Sequence, residues 1–219
     1  MIDSYKSIVN IAYFQDKKVI FLDFDGVIKK SEEIKSATFE QIFLPFGKEL
    51  ILKIRKHNEN NAGVSRFEKF PIYFEYAGLR QSQQLLNSYC ERFSILVEQK
   101  VIDSPWVGGV LNYLKNNYQK QQFFLISSTP QQEIERILFL LKIEGYFQQI
   151  IGSPTSKDKA ISLLIDRYEI DEKDAVMIGD SNIDYEASIV NKVDFLLCKT
   201  ELNQKLQRQL NCLMIKDFL

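Results

Sequence analysis

Four aspartates stand in two tight groups far apart in the 219-residue chain. Asp23 and Asp25 lie in Asp23-Phe24-Asp25-Gly26-Val27, and Asp180 and Asp184 in Gly179-Asp180-Ser181-Asn182-Ile183-Asp184. Each group follows a short apolar run, Val19-Ile20-Phe21-Leu22 or Ala175-Val176-Met177-Ile178. Residues two apart on an extended chain point the same way, so Asp23 and Asp25 are expected to project together while Phe24 turns away. Adjacent carboxylates repel, and they persist at little cost only with a cation or a proton between them. An all-oxygen pocket of several carboxylates suits a hard ion such as Mg²⁺ and needs no histidine. Either motif alone is more often a turn or a helix cap, so it is their joint occurrence at two strand ends that points to chemistry. Ser127 and Lys157 follow two further apolar stretches and supply a hydroxyl and a positive charge.

The elements that must position these residues are legible from periodicity. Besides the two runs above, Phe123-Phe124-Leu125-Ile126, Ile150-Ile151-Gly152 and Phe195-Leu196-Leu197 are short continuous apolar stretches of the kind buried on both faces of a parallel sheet. Between them run helical stripes: Ile134, Ile137, Leu138 and Leu141; Ile161, Leu164, Ile165 and Tyr168; Ile183, Ala187 and Val190. This alternation predicts an α/β fold with a doubly wound parallel sheet, whose ligands bind beyond the carboxyl ends of the strands. From about 31 to 100 the period is helical throughout, which predicts a separate small α-helical domain over 29–100, inserted into a core formed by 1–28 with 101–219. Within the insert the polar stretch from His57 to Phe70 reads as a loop re-entering a helix near Ser65. Tyr5, Ile8, Val9, Ala12 and Tyr13 mark an amphipathic helix over Met1 to Phe14.

Composition narrows the functions. With 28 basic and 29 acidic residues the net charge is −1, which gives no bulk field for nucleic acid or an anionic membrane. The single histidine, His57, leaves little room for zinc or triad chemistry. Cys90, Cys198 and Cys212 are too far apart for a Cys-x-x-Cys pair and read as buried free thiols. No signal peptide or membrane-length apolar run is evident, so the expected compartment is the cytoplasm.

In order, these motifs closely resemble those of the haloacid dehalogenase-like superfamily of phosphohydrolases: Asp23-Phe24-Asp25-Gly26-Val27, then Ser127, then Lys157, then Gly179-Asp180-Ser181-Asn182-Ile183-Asp184. The resemblance covers Val19 to about Cys198 and implies a nucleophilic Asp23, a general acid/base Asp25, and phosphate contacts from Ser127 and Lys157. It further implies Mg²⁺ held by Asp23, the backbone carbonyl of Asp25 and Asp180, with Asp184 in support. Lys159 competes with Lys157 but belongs inside the first helical turn and is expected to be solvated. The dehalogenase reaction itself is set aside, because the resemblance implies that it needs no metal and no second aspartate. The phosphonate-cleaving branch needs a cap lysine, for which Lys53, Lys56 and Lys69 are candidates, and the sequence marks none of them as buried.

A capped site favours small phosphorylated metabolites. Asn61, Gly63, Ser65, Arg66 and Lys69 are expected to face the substrate, with Ser128 beside Ser127, and Arg66 and Lys69 sharing one helix face. Against that stands a solvated helix whose Arg and Lys meet only water. The segment also resembles phosphatases of bacterial sugar and surface-polysaccharide metabolism, branches related to phosphoglycolate phosphatase and beta-phosphoglucomutase. The expected activity is therefore Mg²⁺-dependent hydrolysis of a sugar, polyol or amino-alcohol phosphate through an aspartyl-phosphate, by a monomer or homodimer. A phosphosugar mutase of the same fold, or a noncatalytic binding protein on that scaffold, are the alternatives.

Overall fold

The computed structural model describes residues 8–219. At its centre is a six-stranded sheet built from β1 (Val19–Leu22), β2 (Gln122–Pro130), β3 (Phe147–Ser153), β4 (Ala175–Gly179), β5 (Asp194–Cys198) and β6 (Leu213–Ile215), in the order β3-β2-β1-β4-β5-β6. Every pairing is parallel. β1 pairs on both sides, which is why all four of its residues are buried and why its sequence is continuously apolar. Its register sets Leu22 opposite both Leu125 and Ile178, so the chain leaving β1, β2 and β4 converges at one end of the sheet. The strand order reverses about β1, and a crevice opens at such a point.

Alternate residues of each strand feed two apolar layers. Ile20, Leu22, Phe123, Leu125, Val176 and Ile178 face α5 (Val110–Asn117) and α6 (Gln131–Leu141). Phe21, Phe124, Ile126 and Met177 face α7 (Lys157–Tyr168) and α8 (Asn182–Val190). A short helix α9 (Gln204–Gln209) precedes β6. Between β1 and β2 the chain inserts α1 (Glu32–Phe43), α2 (Lys48–Asn60), α3 (Arg66–Tyr76) and α4 (Gln83–Asp103). These four helices share an aromatic core. Phe70 stacks on Phe74 at 5.9 Å and meets Phe39 edge-on at 5.4 Å, and Phe39 lies 4.5 Å from Phe93. Phe70 is fully buried, so truncation to Ala costs about 3–5 kcal/mol.

Three sequence expectations change. The predicted loop starts later than His57, since α2 runs to Asn60, whereas the re-entry is where it was expected, with α3 beginning at Arg66 and Ser65 as its N-cap. His57 stays helical because its ring packs edge-on against Tyr73 at 5.4 Å, and Asn58 because it is buried beside Lys69. The N-terminal helix is absent over 8–14, where Ile8 pairs with Met214 of β6 and Ile11–Phe14 form a 3-10 turn that tucks Phe14 against Tyr113 and Phe218. The rest of that predicted helix, 1–7, lies outside the described residues. Finally, β6 and α5 add to the predicted elements. Among the described residues no helix is long and apolar enough to cross a membrane.

Candidate active site

Asp23 is the first residue past β1, and its N–H still donates to the Ile178 carbonyl at 3.0 Å, which extends the strand ladder by one residue and fixes the side chain. Lys157 opens α7 after β3 and reaches across the sheet end. Its Nζ lies 2.9 Å from Asp23 Oδ2 and 2.6 Å from Asp184 Oδ1. The other Asp184 oxygen accepts from Ser181 N at 3.1 Å and Ser181 Oγ at 2.6 Å, a capping box that starts α8. Asp180, at the end of β4, is held through its backbone carbonyl, which accepts from Asn203 Nδ2 at 2.8 Å. Carboxylate oxygens of Asp23, Asp180 and Asp184 all lie within 4.8 Å of one another, and all three residues are buried.

Gly26 permits this closeness. It has φ +75°, and a Cβ there would fall 2.5 Å from Asp180 Oδ2. Burial raises Asp23 from the usual carboxylate range to about 7; Lys157 opposes this, and the nearby Asp184 and Asp25 charges add to it. Burial likewise lifts Asp180 well above that range, with Asp23 and Asp184 repelling its charge further. For Lys157 burial disfavours the ammonium, but Asp184 and Asp23 outweigh it and hold the pKa above normal. One ammonium thus faces three buried carboxylates, a surplus of negative charge on hard oxygen donors that fits a divalent ion of the Mg²⁺ type.

Asp25 lines the same cleft as Asp23, as the shared direction of the pair predicted, while its carboxylate stands outside the three-carboxylate group. The strand ends at Leu22 and the chain turns at Gly26, so the Asp25 carboxylate swings toward α1. It accepts from Ser31 Oγ at 2.5 Å and from Lys35 Nζ at 2.5 Å, and Lys35 Nζ also donates to Thr129 Oγ1 at 2.6 Å. Ser31 and Lys35 are four residues apart and share a face at the start of α1, a spacing that the sequence displayed just after the aspartate pair.

A cleft of about 670 Å³ joins these groups to the helical insert, with Asp23, Asp25, Lys35, Lys69, Lys157 and Asp180 among its lining. Ser128 lines it too and donates to the Gly63 carbonyl at 2.5 Å. Gly63 has φ +81°, and a Cβ there would collide with Ser181 Oγ, so the α2–α3 turn lies directly on the sheet end. Lys159 is exposed, as expected.

Four predicted contacts are placed differently. Ser127 is buried with its Oγ accepting from Thr129 N at 3.1 Å, and Thr129 rather than Ser127 lines the cleft. Asn61 donates to the His57 carbonyl at 2.8 Å, closing α2, and does not line the cleft. Ser65 caps α3 and meets Ser153 Oγ at 2.8 Å, so its hydroxyl is committed to β3. Arg66 borders the cleft, but its guanidinium is neither solvated nor free for a ligand. It donates twice to Glu133 of α6 at 2.9 and 2.7 Å and once to Ser94 at 2.8 Å, and sits 4.3 Å over Phe93. Lys69 does line the cleft and is buried, a property that the sequence did not mark.

The sequence profile of the haloacid dehalogenase-like hydrolase family matches residues 19–198. A comparison with curated proteins returned no match. Among solved structures, three provisionally designated proteins superpose over nearly their whole length. A haloacid dehalogenase-like hydrolase from Bacteroides fragilis is 19% identical, with a TM-score of 0.69 over 92% of this chain and 97% of that one. A phosphoglycolate phosphatase from Lactobacillus delbrueckii subsp. bulgaricus is 16% identical, with a TM-score of 0.67 over 93% and 95%. A beta-phosphoglucomutase from Thermotoga maritima is 19% identical, with a TM-score of 0.65 over 91% and 94%.

Proposed function

Since the chain belongs to the haloacid dehalogenase-like hydrolase family, we propose that it is a Mg²⁺-dependent phosphomonoesterase acting on a small phosphorylated metabolite through an aspartyl-phosphate on Asp23. The observation that carries this reading is the buried group of Asp23, Asp180 and Asp184 around Lys157, facing a cleft closed on its far side by helices. We assign 29–100 to a cap and 1–28 with 101–219 to the core, with α4 running slightly past the second boundary to Asp103.

Asp23 attacks phosphorus and the leaving oxygen departs, so one ester bond is exchanged for an acyl phosphate. An anionic nucleophile approaching an anionic ester needs positive charge on the transferring oxygens. Lys157, locked between Asp23 and Asp184, supplies one such charge at a fixed place. Asp23, Asp180 and Asp184 would hold Mg²⁺, which when bound withdraws further charge from the phosphoryl group. Asp25, oriented by Ser31 and Lys35, gives a proton to the departing alkoxide and then takes one from the water that hydrolyses the aspartyl-phosphate. Thr129 at the end of β2, whose Oγ1 accepts from Lys35 and so keeps its own proton, offers a hydroxyl to the phosphoryl oxygens, while Ser128 holds the Gly63 turn in place. The Gly63 turn against Ser128 and Ser181 excludes bulky esters and bulk water, which favours small substrates.

The test is steady-state release of inorganic phosphate from p-nitrophenyl phosphate and from a panel of small phosphate esters with Mg²⁺. Asp23→Asn and Lys157→Ala should each lower kcat by at least about 10³-fold, in line with loss of a nucleophile or an electrostatic stabiliser. Lys159→Ala should leave kcat within about twofold, because its side chain is exposed. Full activity in Asp23→Asn would refute the mechanism. Return of the phosphoryl group to a second position of the substrate, without free phosphate, would identify a mutase instead.

A further inference from the structure

Of the four motif aspartates, Asp180 is the one whose carboxylate no protein donor steadies. Lys157 reaches Asp23 and Asp184, Ser181 reaches Asp184, and Ser31 and Lys35 reach Asp25. Among the described residues no hydrogen bond is directed at the Asp180 carboxylate. Its direction therefore rests on its backbone, and on Gly26, whose missing Cβ leaves room for Oδ2.

That backbone is gripped by a side chain outside every motif of the sequence. Asn203 immediately precedes α9 and is only 6% exposed, although Leu202, Gln204 and Lys205 around it are exposed. Its Nδ2 donates to the Asp180 carbonyl and to the Cys198 carbonyl, each at 2.8 Å. Its Oδ1 accepts from Thr200 N at 2.9 Å and from Gln207 Nε2 at 2.7 Å. Two carbonyls at one end and a backbone N–H at the other fix which end of the amide is nitrogen. The last paired residues of β4 and β5 are Gly179 and Leu197. The amide thus ties Asp180 to Cys198, the next residue along each chain, where the backbone ladder between these strands has run out.

Resting on the Mg²⁺-dependent hydrolase reading above, we infer that Asn203 is a positioning residue for the metal: it holds the Asp180 backbone so that the carboxylate faces Asp23 and Asp184 before the ion arrives. Its amide is spent on four protein partners, so it acts through Asp180. Groups that orient a metal ligand from behind contribute about 10- to 100-fold to metal affinity. Asn203→Asp isolates this contact. The substitution keeps the size of the side chain and one acceptor oxygen for Thr200 and Gln207, but sets the other oxygen against two carbonyl oxygens and so turns attraction into repulsion.

The experiment is calorimetric titration of Mg²⁺ into the substrate-free protein, with the Tm of every variant recorded. Asn203→Asp should bind Mg²⁺ about 10- to 100-fold more weakly than the wild type, and the Mg²⁺ concentration for half-maximal p-nitrophenyl phosphate hydrolysis should rise in step. Gln121→Ala is the comparison. Gln121 is also 6% exposed, and its Nε2 donates to the Phe14 and Lys17 carbonyls at 3.0 and 2.6 Å, but it precedes β2 at the opposite end of the sheet. Its loss should lower Tm and leave Mg²⁺ affinity unchanged. Gln207→Leu, which removes one anchor of Asn203, should weaken Mg²⁺ binding by at least about threefold, and it carries the test if Asn203→Asp does not fold. Wild-type Mg²⁺ affinity in folded Asn203→Asp, or failing that in Gln207→Leu, would overturn the inference. Equal weakening in Gln121→Ala would overturn it too, by reducing the effect to general loosening. A wild-type protein that binds no Mg²⁺ would instead remove the metal-dependent reading on which it stands.

Discussion

Replacement of Arg66 separates a structural from a ligand-binding role with a large expected signal. Its guanidinium makes two hydrogen bonds to Glu133, which is 7% exposed, and Ser94 Oγ donates to the same Glu133 carboxylate at 2.5 Å. Arg66→Ala leaves Glu133 buried with the Ser94 hydroxyl as its remaining partner, and removing one member of a buried pair costs about 3–5 kcal/mol. At roughly 2–4 °C per kcal/mol for a protein of this size, Tm should fall by roughly 6–20 °C. The double replacement Arg66→Met with Glu133→Leu removes both charges while keeping most of the volume, and it should recover the larger part of that loss. Urea unfolding of the wild type, both single variants and the double variant gives the coupling energy, which should exceed about 2 kcal/mol. The double variant, measured below its transition, should hydrolyse p-nitrophenyl phosphate with a KM within a few-fold of the wild type. If Arg66→Ala instead kept its Tm and raised KM tenfold, Arg66 would be a substrate contact and the assignment of its guanidinium to Glu133 would be wrong.

Two further outcomes follow from the site. Gly63→Ala introduces a Cβ into Ser181 Oγ at a positive φ, so the α2–α3 turn must lift from the sheet end; KM for small esters should rise by at least about tenfold, and an unchanged KM would show that the turn does not close the cleft. In the presence of a chelator, Asp23, raised from 3.8 to about 7, gives stability that is complete below pH 4 and lost as the pH climbs through 7, with Asp180 acting in the same direction. Lys69, lowered from 10.5 to about 7, acts oppositely, so stability recovers between about pH 7 and 10. Thermal unfolding should therefore show a minimum near neutrality, at a slope of up to about 1.4 kcal/mol per pH unit for each proton. Asp180→Asn should flatten the acid limb and Lys69→Met the alkaline one; a flat profile from pH 5 to 9 would refute the charge layout.

What the sequence disclosed and what it concealed divide along a physical line. β1 was legible because burial on both faces forces four consecutive apolar residues, and the register it shares with β2 and β4 then brings Asp23 and Asp180 together whatever the loops do. Lys157 and Asp184 were legible for the same reason, since each starts or caps a helix that leaves a strand end. Arg66 was misread because its partner is 67 residues away in α6, and a charged residue on a helix presents the same pattern whether it faces water or another element. Asp25 was legible as facing the crevice with Asp23, but its partners were not, because Ser31 and Lys35 reach it only after the chain turns at Gly26 and starts α1. Lys35 and Lys69 have the opposite history. Each sits in a helix where it reads as a solvated lysine, Lys35 with only its four-residue spacing from Ser31 as a local signal, and each acquires its meaning only when the insert folds over the sheet. Lys35 then meets Asp25 and Lys69 meets Asn58, partners ten and eleven residues away in sequence that no helical spacing links to their lysines.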